Sequence, residues 1–119
     1  MKLSMLAIEK GGVIRVAAEG NITAVDVDPT EKNPLETLLG ATWSSNRVLL
    51  DLSRTGYIDS SAVGWLMNTH RSFKEAGGKF VLYNVQPTVR QLLDVLKLSR
   101  VLPLAEDEAA ARELVGGAK

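Results

Sequence analysis

"RVLLDLSRTGYIDSSAVGWLMNTHRSFKEAGGKFVLYNV", Arg47–Val85, decides the fold. Its two ends, "RVLLDL" (Arg47–Leu52) and "KFVLYNV" (Lys79–Val85), are apolar runs without strict alternation. That pattern belongs to strands covered on both faces of a parallel or mixed sheet. Between them Val63, Leu66, Met67, His70 and Phe73 recur at three- and four-residue steps and form one stripe of a helix. Gly77-Gly78 then supply its left-handed stop. Strand, helix and strand in this order make a crossover unit, which predicts an α/β fold.

The flanks extend the same plan. Upstream, Leu3–Ile8 and Val13–Ala18 are short apolar segments separated by Gly11-Gly12, a pair suited to a tight hairpin turn, so antiparallel strands are expected. "VDVDPTEKNPLETLLGATW" reads as a polar loop with two prolines and then a short helix from about Leu35. The stretch around Asn21 to Asn33 is expected to be the most mobile and least core-dependent part of the chain. Downstream, "QPTVRQLLDVLKL" predicts a helix with Pro87 in its first turn and Val89, Leu92, Leu93 and Leu96 on one face. A short strand at "RVLPL" and a terminal helix over "DEAAARELV", closed by Gly116-Gly117, complete the order.

Composition narrows the function. At 119 residues the chain is read as a single domain, residues 1–119, with a core of its own. Fourteen basic and fourteen acidic side chains leave a formal net charge of zero, which removes the electrostatic footprint of nucleic-acid binding. The absence of cysteine rules out thiolate chemistry and disulfides, and one histidine rules out a multi-histidine metal site within one chain. No apolar run reaches bilayer length, so no membrane insertion and a cytoplasmic location are expected, with no cofactor.

Chemistry, if any, gathers around "IDSSAVGW". Ser60 and Ser61 precede the central helix, where a serine hydroxyl caps an orphaned backbone N–H. A nucleophilic serine would need a base and an oxyanion hole. His70, the sole histidine, lies ten residues along the same helix, about 15 Å of rise away. The surroundings are not G-x-S-x-G. A serine hydrolase is therefore disfavoured, and His70 reads as a partly buried stripe residue. Asp51, read as ending a strand, and Asp59, at the base of the helix, could approach one sheet edge as an acid/base or magnesium pair, though helix-start and strand-end carboxylates have local uses. Trp65 lies off the stripe, one turn beyond Ser61 on the same side. Packing under a loop and contact with a partner are both open to it. Trp43 reads as core or loop packing.

The tract from Arg47 to Leu98 resembles the STAS domain of anti-sigma-factor antagonists. It carries an apolar strand with an aspartate, then hydrophobic-Asp-Ser-Ser, a glycine four residues past the first serine, and a helix closed by a glycine pair. The resemblance implies a mixed sheet of four or five strands with about four helices packed mainly on one face. It also implies a non-enzymatic, protein-binding signalling module whose partner is an anti-sigma factor that is also its serine kinase. The serine after the aspartate is the family's phosphorylation site, which falls on Ser60, and Asp59, Ser60, Ser61 and, from its place one turn beyond the serines, Trp65 are expected to bind the partner. Ala62 stands where a glycine is usual, and the segment between the second strand and the first helix is longer than usual. A structural STAS subunit of a sensory or transporter-associated complex is the alternative.

Overall fold

The structure, a computed structural model, describes residues 1–9 and 12–115. Five strands form one sheet in sequence order: β1 (Lys2–Ile8), β2 (Val13–Glu19), β3 (Arg47–Arg54), β4 (Lys79–Tyr83) and β5 (Leu104–Ala105). β1 runs antiparallel to β2, and every later pairing is parallel. Gly11 of the expected hairpin turn and the Gly116-Gly117 stop lie outside the described residues.

Four helices complete the element order: α1 (Pro34–Leu39), α2 (Ser60–Ala76), α3 (Pro87–Val95) and α4 (Glu108–Leu114). Parallel pairing of β2, β3 and β4 forces the chain to cross over between strands, and α1 and α2 make those crossings. The two faces of the sheet are separated by the two-residue period of the strands. Ile14, Val16 and Ala18 of β2, Val48, Leu50 and Leu52 of β3, and Phe80 and Leu82 of β4 point into the main core. That core also takes Leu35 of α1, Ala62, Trp65, Leu66 and Phe73 of α2, and Val89 and Leu93 of α3. Val13, Leu49, Val81 and Tyr83 point the other way, into a smaller cluster closed by Ala111 of α4. Three helices thus cover one face and α4 the other, which is why β3 and β4 lack strict alternation.

α4 is also held by ions. Arg112 pairs with Glu9 and Glu108, and Arg15 donates to Glu9 at 2.8 Å and to Glu108 at 3.2 Å. The Arg112 guanidinium, foremost, holds the Glu9 carboxyl below its ordinary range.

The end of α2 shows why its glycine pair is needed. Gly77 is left-handed at φ 82, and Gly78 donates its N–H to the carbonyl of Phe73 at 2.8 Å. A Cβ on Gly78 would lie 2.3 Å from the Ser44 carbonyl oxygen and 2.4 Å from that of Asn46. The backbone before β3 therefore packs where any other side chain would sit. Phe73, in the last turn, stacks on Phe80 at 5.1 Å and takes the edge of Trp43 at 5.4 Å, giving Trp43 the packing role expected of it.

The segment between β2 and α1 departs from expectation. Rather than hanging free, it follows the chain beyond β3: Gly20 N–H donates to the Arg54 carbonyl, Ile22 N–H to that of Tyr57, and Asp59 N–H to that of Ile22. Ile22 and Val27 are buried in the core. Asn33 caps α1 through Leu35 N–H and reaches α2 by donating to Thr69 Oγ1 at 3.1 Å. The segment is polar in sequence yet anchored at both ends and in its middle.

Candidate functional site at the start of α2

The site is assembled where β3 hands over to α2. β3 extends to Arg54, so Asp51 lies within the strand rather than ending it, and its carboxylate accepts from Ser53 N–H at 2.8 Å. The chain then passes Thr55, whose buried hydroxyl donates to the Ala18 carbonyl at 3.2 Å, and Ile58, which forms a parallel bridge to Ile22. Asp59 follows, and α2 begins at Ser60.

Asp59, and neither serine, is the cap. Its Oδ1 accepts from Ala62 N–H at 2.9 Å, in extended backbone conformation at φ −102. Its Oδ2 accepts from Ala24 N–H at 3.0 Å. One carboxylate therefore satisfies a helix-end donor and ties down the loop that follows β2. A serine at this position would offer one oxygen, whereas the carboxylate offers two, one for each donor. Asp51 serves its own local backbone, Asp59 the helix start and the loop after β2, and among the described residues no cluster of acidic and histidine side chains suited to a metal is present.

With capping supplied by Asp59, Ser60 and Ser61 occupy the first two helical positions, and both are exposed. Neither hydroxyl is used in the hydrogen bonding among the described residues. Two large apolar side chains close by in the chain are unusually exposed: Val25, 91% exposed, next to the Ala24 whose N–H Asp59 accepts, and Tyr57, 52% exposed, three residues before Ser60. Neither was singled out from sequence. The available signal was a valine and a tyrosine inside otherwise polar loops.

Of the two readings open to Trp65, packing under a loop matches its burial. It does lie toward Ser61, since both line one cleft, but it is only 6% exposed and belongs to the main core. The apolar face of α2 is wider than the Val63–Phe73 stripe, because the loop and α1 pack against its flank. Buried positions run Ala62, Trp65, Leu66, Thr69 and Phe73, whereas Val63, Met67 and His70 are half-buried at the margin. As a broad partner-contact residue Trp65 has little area to offer. His70 is a margin residue whose pKa is pulled below the ordinary imidazole range, first by burial and then by the charge of Lys74. It shares one continuous helix with Ser60, so about 15 Å of rise separates them and no serine–histidine pair exists.

Residues 5–111 match the STAS domain family, and the chain belongs to it. Among its relatives, a Bordetella bronchiseptica protein named as an anti-sigma factor antagonist, BtrV, is 25% identical over 111 residues, covering 93% of this chain and 91% of that one. In fold it is similar to the crystal structure of a Thermotoga maritima protein described as an anti-sigma factor antagonist, with TM-score 0.80 and 21% identity over 96% of this chain and 94% of that one. It is also similar to the phosphorylated form of the Bacillus cell-fate determinant SpoIIAA, with TM-score 0.63 and 17% identity over 95% of this chain and 99% of that one. The five-stranded mixed sheet with four helices is the arrangement these relatives share with it. Among the described residues no helix is long and apolar enough to cross a membrane.

Proposed function

We propose that this STAS-domain chain is an anti-sigma-factor antagonist that acts by binding. Its unmodified form docks on an anti-sigma factor around the start of α2, and phosphorylation of Ser60 by that partner, acting as a serine kinase, breaks the complex. The relatives named above support the partner class, and the phosphorylated neighbour supports the modification as a chemistry this fold accommodates. No substrate is turned over in this reading, and the protein works in the cytoplasm.

The observation that carries the reading is the division of labour between Asp59 and Ser60. A capping hydroxyl that received a phosphate would have its bond to the helix remodelled. Ser60 is exposed at the first helical position while Asp59 caps, so a phosphate is added without removing a structural bond. The added charge, about −1.5 to −2, sits at the end of the helix whose dipole tolerates anions. The fold stays as it is, and the surface changes. A partner seated over Ser60 meets a bulky anion in place of a neutral hydroxyl.

The test is affinity capture from ATP-depleted host lysate, with a parallel incubation in ATP-supplemented lysate, and mass spectrometry for the captured partner in the first and the modified residue in the second. Phosphate on Ser60 is expected, as is capture of an anti-sigma factor by wild type and Ser60→Ala but not by Ser60→Asp. Phosphate elsewhere with Ser60 clean, or equal capture by Ser60→Asp, would overturn the reading.

A further inference from the structure

Beside α2 lies a cleft of about 330 Å³ that the phosphorylation switch does not use. Its walls are the loop residues Asp28, Pro29 and Glu31 on one side and Ser61, Gly64 and Trp65 of α2 on the other. Ser60 is not among its lining residues, so the cleft and the modified serine are neighbouring but separate parts of the surface.

Three observations give the cleft its chemistry. First, Asp28 and Glu31 are exposed on one wall, and neither enters an ion pair among the described residues. The Thr30 hydroxyl and N–H donate to Asp28 and hold its carboxyl below the ordinary range. Second, the indole Nε1 of Trp65 is buried without a hydrogen-bond partner in a side chain only 6% exposed. An orphaned buried donor of this kind is costly to a fold and is repaid only when an acceptor reaches it. Third, Gly64 sits inside α2 although nothing lies within 4 Å of where its Cβ would be. The fold does not require a glycine there, and mid-helix glycine lowers stability relative to alanine. Open space at Gly64 lets another backbone approach the helix closely.

We infer that the cleft receives a basic segment of the docking partner, an arginine or lysine whose cation meets Asp28 and Glu31 while a neighbouring main-chain carbonyl accepts from Trp65 Nε1. The carboxylates select a cation and the indole selects an acceptor, and an extended peptide with a basic side chain supplies both. Gly64 is the point where that peptide's backbone crosses α2. Residues 28–32 are exposed throughout, so this turn can yield as the carbonyl enters. The inference rests on the reading that a partner protein docks around the start of α2, and it adds the side chain by which that partner is recognised.

The experiment uses short probes, so that it does not depend on the partner. The full chain, labelled with nitrogen-15, is titrated with acetyl-Gly-Arg-Gly-amide and, separately, with the norleucine counterpart, while the two indole N–H resonances are followed by NMR. Trp65→Phe assigns the Trp65 signal. The arginine peptide is expected to move that signal downfield in a saturable way, and the norleucine peptide to leave it in place. Glu31→Gln, which spares the Asp28–Thr30 turn, should weaken the arginine peptide about threefold, and Asp28→Asn with Glu31→Gln about tenfold. An unmoved Trp65 indole, an equal response to norleucine, or full affinity in the double variant overturns the inference. Such a result leaves the Ser60 switch standing. Equal capture of the partner by Ser60→Asp, with the peptide response intact, removes the switch and leaves the cleft.

Discussion

Replacing Asp59 with alanine tests the division of labour at the head of α2 more directly than any change to the serines. The substitution deletes the acceptor for Ala62 N–H and the acceptor for Ala24 N–H together. Loss of an N-cap costs about 1 kcal/mol, and loss of the exposed bond to the loop adds about 0.5 kcal/mol. At about 4 °C per kcal/mol for a domain of this size, the melting temperature should fall by about 6 °C. Asp59→Asn keeps one oxygen for Ala62 but presents an NH2 group to the Ala24 donor, so it should lose about 2 °C. Ser60→Ala removes no bond and should stay within about 2 °C of wild type. Circular-dichroism melts of the three variants at neutral pH supply the measurement. A Ser60→Ala melt as low as that of Asp59→Ala would show that the serine carries the cap, and the argument for an uncommitted hydroxyl would fail with it.

Three further outcomes follow from the same packing. Trp65→Ala should lower stability by about 3 kcal/mol, because it empties a large core site, whereas Trp65→Phe should cost far less, since the orphaned donor leaves with the indole; equal losses in urea titrations would contradict this. Gly64→Ala should raise stability by about 0.5 to 1 kcal/mol, there being space for the methyl group, and should weaken the arginine-peptide response; a lower melt would show that the site is not open. Because the His70 pKa is depressed in the fold, the unfolded chain takes up a proton first as pH falls through about 6.5, so stability should decline below that pH in wild type and not in His70→Gln. Glu9 has a depressed pKa as well, and its contribution is lost at lower pH, as the solution becomes acid enough to protonate a carboxylate paired with Arg112. A His70→Gln variant that declines as steeply as wild type between pH 7 and about 5 would remove the histidine from this account.

Much of the fold was legible because it is written in local runs. Arg47–Leu52 and Lys79–Val85 are dense enough in apolar residues to demand cover on both faces, and Gly77-Gly78 can end a helix only one way. What sequence could not supply was the partner of each long-range contact. Ile22 looked like one apolar residue in a polar loop, yet its bridge to Ile58 makes the loop an extension of the sheet. That unseen bridge changes two surroundings at once. It brings Ala24 to Asp59, so the carboxylate that caps α2 also holds the loop. It also lays Val27 and the following turn over the flank of α2, so Trp65, off a stripe drawn for a helix with one covered side, is inside. Periodicity counts the residues that repeat along a helix. It cannot count the walls.

In the proposed readings the loop between β2 and α1 has two effects on the site, which act on different parts of the docking partner. By holding Ala24 against Asp59 it fixes the loop next to the start of α2, where the proposed phosphate on Ser60 disrupts docking. By carrying Asp28 and Glu31 to the rim of the Trp65 cleft it adds a second contact that is ionic. Ionic contacts of exposed groups govern mainly the rate of association and the choice of partner, whereas buried apolar contacts govern how long the complex lasts. A charge placed on Ser60 should thus be read chiefly in the dissociation rate, and neutralising Asp28 and Glu31 chiefly in the association rate and its dependence on salt. Surface-plasmon-resonance kinetics with the captured anti-sigma factor, at low and high ionic strength, separate the two. If Ser60→Asp slowed association and left dissociation untouched, the serine would be acting at a distance through the field of the whole surface, and a partner seated directly over it would no longer be needed.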